Sequence, residues 1–227
     1  MRISEEFSKH ALEYESHNSI QKKVINKLLG DMTCAPNYIL DLGCGNGSLC
    51  KSVNWEYKQF VGIDFAPAML ELHPSADNIE VLYGDFNDKT LFTQLQSYKF
   101  EHIFSASALQ WSKDLEKLFS NIAALNTSLS LAIFTSGTFK TLHTEAGIAP
   151  LLRDKEEINR LQKKYFNANF EIVEYKLEFE SVREMFRYIK SSGVSGSRNL
   201  LSYTQTKKLM REYPLKYLEF EVVFITS

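Results

Sequence analysis

Apolar positions recur with two different periods along the chain, and each period predicts a different element. Up to residue 30 the apolar side chains lie three or four positions apart, as at Phe7, Ala11 and Tyr14, which predicts a helix that ends near Gly30. From residue 38 to residue 135 short apolar runs alternate with helical segments. This alternation is typical of an α/β fold, in which a mostly parallel sheet has helices on both faces.

The apolar runs predict five strands in this region, at residues 38–42, 60–64, 79–83, 100–104 and 129–135. Helical segments follow the first three, at 47–53, 67–72 and 88–96, and Ser112 is the expected N-cap of the helix before the fifth strand. After residue 135 the alternation is less regular. There we expect helices at about 154–164, at 181–193 and from 204, and strands at 170–179 and 217–226, the last of which closes the sheet.

A glycine-rich turn follows the first predicted strand. Asp41 lies near the end of that strand, and Gly43, Gly45 and Gly47 follow at alternate positions. Glycine tolerates positive φ and lets the backbone approach a ligand closely. The dinucleotide-binding fingerprint places its third glycine three positions after the second, where this chain has Ser48. The turn therefore departs from that fingerprint.

Acidic residues stand at the ends of the next two predicted strands. Asp64 ends the second strand, and Asp85 follows the third within the segment Gly84-Asp85-Phe86. Because the carboxyl ends of parallel strands meet at one edge of a sheet, we expect the turn and both acids to border one crevice. An acid at the end of the second strand is placed to hold a pair of ribose hydroxyls.

The segment 41–47 together with Asp64 and Gly84-Asp85-Phe86 resembles the class I S-adenosylmethionine-dependent methyltransferases. The resemblance implies a Rossmann-like fold with a seven-stranded, mostly parallel sheet and an N-terminal helical lid. It also implies that Gly43 and Gly45 approach the methionine part of the cofactor, that Asp64 binds the ribose and that Asp85 faces the adenine amine. The whole implied cofactor-binding set is Tyr14, Gln21, Asp41, Gly43, Cys44, Gly45, Gly47, Asp64, Phe65, Asp85, Phe86 and Ser105.

The resemblance further divides the chain as a single methyltransferase domain, 1–227. Residues 1–30 form the lid, 37–135 the cofactor-binding core, 136–216 insertions on the side of substrate and partner, and 217–227 the closing strand. The candidates for the methyl-acceptor site are Tyr14, His17, Gln110, Trp111 and Arg198. For each of them a purely structural role, as core or as solvated surface, remains the alternative.

Composition and charge narrow the possible partners. The 227-residue chain has a formal net charge of −2, yet residues 180–216 carry eight bases and three acids. Arg183, Arg187 and Lys190 share one helical face within this segment, which is either ordinary solvated surface or a docking surface for an acidic partner. The balance of charge makes nucleic acid an unlikely partner. The three cysteines and five histidines show no metal-ligand spacing, so we expect no metal.

No long apolar run and no leader-like start are seen, so we expect a cytoplasmic protein without membrane attachment. The segment after the fourth strand, Ser105-Ala-Ser-Ala, lacks the Asn/Asp-Pro-Pro-Tyr/Phe motif of the DNA and protein amide methylases, which disfavours nitrogen methylation of that type. A carboxylate acceptor, by contrast, is already ionised at neutral pH and requires no general base.

Four segments, at residues 7–21, 108–111, 187–198 and 213–217, resemble the malonyl-acyl-carrier-protein O-methyltransferases of biotin synthesis. The resemblance implies methylation of the free carboxylate of a malonyl thioester on acyl carrier protein, or on coenzyme A. Arg198 would pair with that carboxylate or, with Arg183, Arg187 and Lys190, contact the carrier. The segment 125–128 departs from the family's usual turn. A methyltransferase of a small free acid of the trans-aconitate type and a non-catalytic S-adenosylmethionine-binding protein remain the alternatives.

Overall fold

The computed structural model describes residues 18–191 and 202–227. Within these residues the strands are β1 (Tyr38–Leu42), β2 (Gln59–Asp64), β3 (Ile79–Tyr83), β4 (His102–Ala106), β5 (Ser128–Phe134), β6 (Asn169–Glu178) and β7 (Tyr217–Thr226). The helices are α1 (Ser19–Gly30), α2 (Ser48–Ser52), α3 (Pro67–Leu70), α4 (Lys89–Leu95), α5 (Leu115–Ala123), α6 (Lys140–Ala146), α7 (Lys155–Tyr165), α8 (Val182–Ser191) and α9 (Tyr203–Glu212), and a 3-10 turn spans Leu109–Trp111.

The strands form one seven-stranded sheet in the order β3-β2-β1-β4-β5-β7-β6. Strands β1 to β5 are parallel, and β7 pairs antiparallel with both β5 and β6. The sheet therefore has the predicted Rossmann-like architecture. The strand order reverses beside β1 and β4, and in open α/β sheets ligands bind outside the carboxyl ends of the strands at such a point.

The predicted closing strand, β7, lies inside the sheet between β5 and β6, and β6 is the edge strand. The sequence did not indicate this order of the last two strands. The reason for the interior position is visible in the side chains of β7. Phe220 to Ile225 are all buried, so both faces of the strand are covered. A strand that is buried on both faces needs a neighbour on each side, whereas β6 has the alternating, half-exposed pattern of an edge.

Strands β1, β2, β4 and β5 are mostly buried, because successive side chains pack into clusters on opposite faces of the sheet. Leu40 and Leu42 pack in a cluster with α4, α5 and α7, whereas Ile39 packs on the other face with residues of α1 and α2. A third cluster joins α1, α8 and α9 to β5 and β7. No helix in the described residues is both long and apolar enough to span a membrane.

One local prediction is corrected, and one helix was not predicted. Ser112 does not cap α5: the carboxylate of Asp114 accepts the hydrogen bond from the Lys117 N–H instead, while Ser112 is buried. Helix α6 was not predicted from the sequence. Its N-cap position is Phe139, which has a φ of 57° and offers no capping side chain, so the usual start signal is missing.

A buried histidine in the sheet should make stability depend on pH. His102 is 3% exposed, its Nε2 lies 2.9 Å from the Ser130 hydroxyl, and burial lowers its pKa from 6.5 to about 4. The neutral form is favoured in the folded state, so the contribution of His102 is lost as pH falls from about 6.5 towards 4. The expected loss reaches about 3 kcal/mol of unfolding free energy, measured by urea denaturation across this range.

The His102→Asn variant serves as the comparison, because asparagine can still bond Ser130 but does not titrate. Its unfolding free energy should fall less steeply than that of the native chain between pH 6.5 and 4. Parallel curves for the two proteins would contradict this role of His102. The comparison is needed because other groups titrate too, among them Asp41, whose raised pKa acts in the opposite direction.

Candidate active site

The glycine turn connects β1 to α2 and lies at the carboxyl edge of the sheet. The N–H groups of Gly43 and Cys44 both donate to the Ile63 carbonyl, at 2.8 and 3.0 Å, which fixes the turn against β2. Gly43, Gly45 and Gly47 all have positive φ, at 81°, 54° and 76°. The sequence pattern of alternate glycines therefore corresponds to a backbone that other residues adopt only with strain.

The three glycines differ in what surrounds them. A Cβ on Gly43 would lie 2.1 Å from the Ala108 Cβ, and one on Gly47 would lie 2.3 Å from Pro74 Cδ. No described residue lies within 4 Å of a Cβ built on Gly45. Gly43 and Gly47 thus permit close packing of the protein on itself, whereas the described residues leave space beside Gly45 where a ligand can approach the backbone.

Asp64 connects the end of β2 to this turn. Its Oδ2 accepts from the Gly45 N–H at 2.9 Å, its Oδ1 accepts from the Ala66 N–H at 2.8 Å, and the residue is 9% exposed. Burial raises the pKa of its carboxyl, and the hydrogen bonds from Ala66 and Gly45 oppose that shift. A carboxylate has about four acceptor positions, so both oxygens can take a further hydrogen bond from a ligand hydroxyl.

Asp41 lies beneath the turn and is 1% exposed. Its Oδ1 has no hydrogen-bond partner among residues 18–191 and 202–227. Burial first, and then the charge of Asp64, raise the pKa of Asp41 to about 8. A carboxyl group in this condition favours a nearby hydrogen-bond donor or positive charge, which a cationic ligand above the turn would supply.

A cleft opens between the turn and the ends of β2 and β4. Its enclosed part has a volume of about 50 Å³ and is lined by Gly43, Gly45, Asp64, Phe65, Met69, Phe86, Ala106, Ser107, Ala108 and Trp111. This volume is smaller than a nucleoside, so a bound nucleoside would extend along the rim. The lining combines one carboxylate with aromatic and aliphatic surfaces, and this combination fits a ribose joined to a flat, apolar-faced base.

The cleft brings together six of the residues that the sequence singled out, namely Gly43, Gly45, Asp64, Phe65, Phe86 and Trp111. Other candidates lie behind it. The Ser105 hydroxyl donates to the Leu42 carbonyl at 2.6 Å, and the Gln110 amide donates to the Ser107 carbonyl at 2.6 Å, so both support the wall. Cys44 and Gly47 are buried in the turn, and burial raises the pKa of the Cys44 thiol well above its usual range.

The remaining candidates are more distant from the cleft or are not described. The Asp85 Oδ1 accepts from the backbone and side-chain N–H groups of Asn87, at 2.8 and 2.6 Å. Gln21 lies on α1, where its Oε1 is buried and has no hydrogen-bond partner in the described part of the chain. Tyr14, His17 and Arg198 lie outside the described residues, as does most of the predicted lid.

The sequence did not single out Met69 of the lining, and it placed Ala106, Ser107 and Ala108 at the acceptor site only as part of the segment 105–111. Ser107 has a φ of 67°, which is uncommon for a residue other than glycine. The run of small residues at 105–108 was the available indication, because small side chains at a strand end allow another segment to come close. Ala108 is the residue against which Gly43 packs.

Five basic residues of the segment 180–216 are exposed on α8 and α9, two helices that contact each other and contribute Met185 and Leu209 to one apolar cluster. Arg183 and Arg187 of α8 are exposed, as are Lys207, Lys208 and Arg211 of α9. Lys208 Nζ lies 3.9 Å from the Glu212 carboxylate. The exposed bases give the two helices a basic surface, and Lys190 is a further residue of α8.

Comparison with known proteins identifies the fold. Residues 39–127 match a family described as a methyltransferase domain. Two solved structures have a similar fold. The YcgJ protein of Bacillus subtilis has a TM-score of 0.61 and 12% identity over 89% of this chain and 97% of that one. The other is phosphoethanolamine N-methyltransferase 2 of Haemonchus contortus in complex with S-adenosyl-L-methionine. The latter has a TM-score of 0.58 and 17% identity over 97% of this chain and 57% of that one.

Several proteins of similar sequence are malonyl-[acyl-carrier protein] O-methyltransferases. The protein from Acetivibrio thermocellus is 27% identical over 97% of this chain and 91% of its own length, and the second such protein of Coxiella burnetii is 27% identical over 95% and 88%. The Legionella pneumophila protein is 32% identical over 63% of this chain and 53% of its own length. The chain therefore has the fold of the class I S-adenosylmethionine-dependent methyltransferases and a segment that matches a methyltransferase domain, and its sequence resembles the malonyl-[acyl-carrier protein] O-methyltransferases along most of its length.

Proposed function

We propose that the protein methylates the free carboxylate of a malonyl thioester carried by acyl carrier protein, as in an early step of biotin synthesis. The observation that carries this proposal is similarity to proteins of that name over nearly the whole chain, including the segments outside the cofactor core. One feature of the cleft is consistent with the proposed methylation of a carboxylate. Asp64 is the only titratable side chain among its lining residues, and its oxygens already accept two backbone hydrogen bonds.

S-adenosylmethionine, when bound, supplies a methyl group on a positively charged sulfur and leaves as a neutral thioether. The chain's own residues then have to align the acceptor and exclude water. In this proposal Gly43 and Gly45 let the methionine part approach the backbone, and Asp64 accepts from the ribose hydroxyls. Phe65 and Phe86 pack against the adenine, and Asp85 lies towards its amine.

The acceptor side requires no base. A malonyl carboxylate is ionised at neutral pH, so the nucleophilic oxygen needs no deprotonation. Trp111 forms a wall of the cleft beside Ala106 and Ser107, and we assign it a positioning role towards the acceptor. Gln110 supports that wall from behind through its bond to Ser107. Tyr14, His17 and Gln21 are proposed to act from the lid, and Arg198 to pair with the malonyl carboxylate.

The experiment that tests this function is a panel of acceptors incubated with S-adenosylmethionine and followed by mass spectrometry. The panel contains malonyl-carrier protein, acetyl-carrier protein, malonyl-coenzyme A, free malonate and trans-aconitate. Gain of one methyl group on the malonyl-carrier protein, without gain on the acetyl form, is the expected result. Methylation of a free acid alone would move the protein to the small-acid methyltransferases, and no product from any acceptor would favour a non-catalytic cofactor-binding protein.

The basic surface of α8 and α9 is proposed to dock the carrier, whose acidic surface would complement it. Arg187→Glu is then expected to raise the KM for malonyl-carrier protein about tenfold, because a like charge is placed against the partner. The KM for malonyl-coenzyme A should change much less. Steady-state kinetics with both acceptors give the comparison.

Lys99→Glu is the matched control for Arg187→Glu. Lys99 is exposed and precedes β4, at the amino edge of the sheet, so it lies away from the cleft and from the basic surface. This variant should keep the native KM for both acceptors. Equal effects of the two reversals, or no effect of Arg187→Glu, would refute docking at this surface.

A further inference from the structure

A second concave site lies one strand away from the cleft, after the carboxyl end of β5. This groove has a volume of about 360 Å³, which falls within the range of about 300–1,000 Å³ common for small-molecule sites. It is lined by Ser136, Lys140, His143, Thr144, Gly147, Ile148 and Pro150. None of these residues has a role in the cofactor cleft.

One face of α6 forms the floor of the groove. Lys140, His143, Thr144 and Gly147 are spaced by three or four positions and therefore share that face. The other face of α6 carries Leu142 and Ala146, which pack into the cluster that contains Leu209 of α9 and Tyr213, the residue after that helix. Helix α6 is thus located between the groove and the helix that carries part of the basic surface.

The segment that leads into α6 is fixed by two carboxylates of β7. Glu221 is 8% exposed, accepts from the Thr135 hydroxyl and pairs with Lys155 Nζ at 2.8 Å. Glu219 accepts from the Thr141 hydroxyl at 2.5 Å. A Cβ on Gly137 would lie 2.5 Å from Glu221 Oε1, so this segment is packed closely against β7. The wall of the groove at Ser136 is therefore held in place before any ligand binds.

Arg153 connects the groove to the cleft. Its Nη2 donates to the Ser112 carbonyl at 2.8 Å, directly after Trp111, which lines the cleft. Its own carbonyl accepts from the Ser136 N–H at 2.8 Å, and Ser136 lines the groove. The two sites consequently share one wall, with the groove between the cleft and α9.

The lining of the groove favours a flexible chain with amide and hydroxyl groups. Ser136 and Thr144 provide hydroxyls, Lys140 provides an ammonium donor, and Ile148 and Pro150 provide apolar surface. Burial lowers the pKa of His143, so its imidazole is uncharged at neutral pH. One cation among mostly neutral groups suits a ligand with amides and branched aliphatic carbon better than a polyanion.

We propose that this groove binds the pantetheine part of the thioester acceptor. The inference rests on the proposed function, because the groove gives the pantetheine arm a path from a carrier docked at α8 and α9 to the acyl end of the thioester at Trp111. Pantetheine carries two amides, a hydroxyl and a dimethyl-substituted carbon, which correspond to the polar and apolar parts of the lining. Bulk placed in the groove should therefore exclude the arm and leave the cofactor cleft unaltered.

The test combines binding and turnover on the full chain. Saturation-transfer NMR with D-pantetheine is expected to show binding to the native protein, weakened about tenfold or more by Thr144→Trp and by Ile148→Trp. Thr144 is exposed on α6, so its replacement should leave folding intact. Ile172→Trp, at an exposed position of edge strand β6, is the control and should bind as the native chain does.

Turnover separates the groove from the proposed function. The KM for malonyl-pantetheine should rise about tenfold in Thr144→Trp, while the KM for malonyl-N-acetylcysteamine, which lacks most of the arm, should stay native. The proposed role of the groove would be refuted if the native chain did not bind pantetheine, or if Thr144→Trp and Ile148→Trp bound it as tightly as the native chain does. This holds even where malonyl thioesters are methylated. Groove-dependent pantetheine binding without methylation of any malonyl acceptor would retain the site and refute the function proposed above.

Discussion

The Gly43→Ala variant is expected to lose about 3 kcal/mol of unfolding free energy and most of its cofactor binding. The added Cβ would lie 2.1 Å from the Ala108 Cβ, so the turn and the wall of the cleft must move apart. In addition, alanine would have to adopt a φ of about 81°. Urea denaturation and a titration with S-adenosylmethionine measure the two losses.

Gly147→Ala is the matched control for this substitution. Gly147 also has a positive φ, at 65°, but no residue within 18–191 or 202–227 lies within 4 Å of a Cβ built on it. It should therefore show only the cost of the backbone conformation, about 1 kcal/mol, and bind cofactor normally. If the two variants lost equal stability, the close packing of Gly43 on Ala108 would not be the cause.

The second large effect is expected for Asp64→Asn, which should weaken S-adenosylmethionine binding about 100-fold. Two hydrogen bonds from ribose hydroxyls to a charged carboxylate would be lost or weakened, at a total cost of about 3 kcal/mol. The amide NH₂ of asparagine would also face one of the two backbone N–H donors that Asp64 now accepts from, Gly45 and Ala66. Isothermal titration calorimetry on the folded variant gives the affinity.

Asp88→Asn controls for removal of a negative charge nearby in the sequence. Asp88 is the exposed N-cap of α4 and accepts from the Thr90 N–H, a role that asparagine fills about as well. Its cofactor affinity should be native. An Asp64→Asn variant that binds as tightly as the Asp88→Asn variant would exclude Asp64 from the ribose site.

The sequence predicts the parallel core well because its strands are continuous apolar runs that end in glycine or acid. Such runs, at Tyr38–Leu42 and Gln59–Asp64, are required by burial on both faces and are visible without any tertiary information. The position of β7 between β5 and β6 is different. The buried run of β7 indicates an interior strand, but which two strands flank it depends on the edges that remain available after β5, and no local pattern records that pairing.

The candidate site was predictable to a similar extent. A backbone that requires positive φ favours glycine, and an acid at the end of a strand is visible in the sequence. The glycines and Asp64 could therefore be singled out from their positions alone. The sequence does not show which side chain faces the cleft at the end of β4. Ser105 donates to the Leu42 carbonyl, whereas Ser107 lines the cleft. The groove beside α6 was missed for a related reason, because its lining depends on how Glu219 and Glu221 hold a segment eighty residues earlier.

The most direct measurement of the central claim, that this cleft is the S-adenosylmethionine site, uses the fluorescence of Trp111. The chain has two tryptophans, and Trp55 donates its indole N–H to the Pro36 carbonyl away from the cleft, so a Trp55→Phe variant leaves Trp111 as the reporter. Titration with S-adenosylmethionine should give a saturable change in emission that S-adenosylhomocysteine reproduces. Unchanged Trp111 emission at saturating cofactor would contradict the assignment of the cleft.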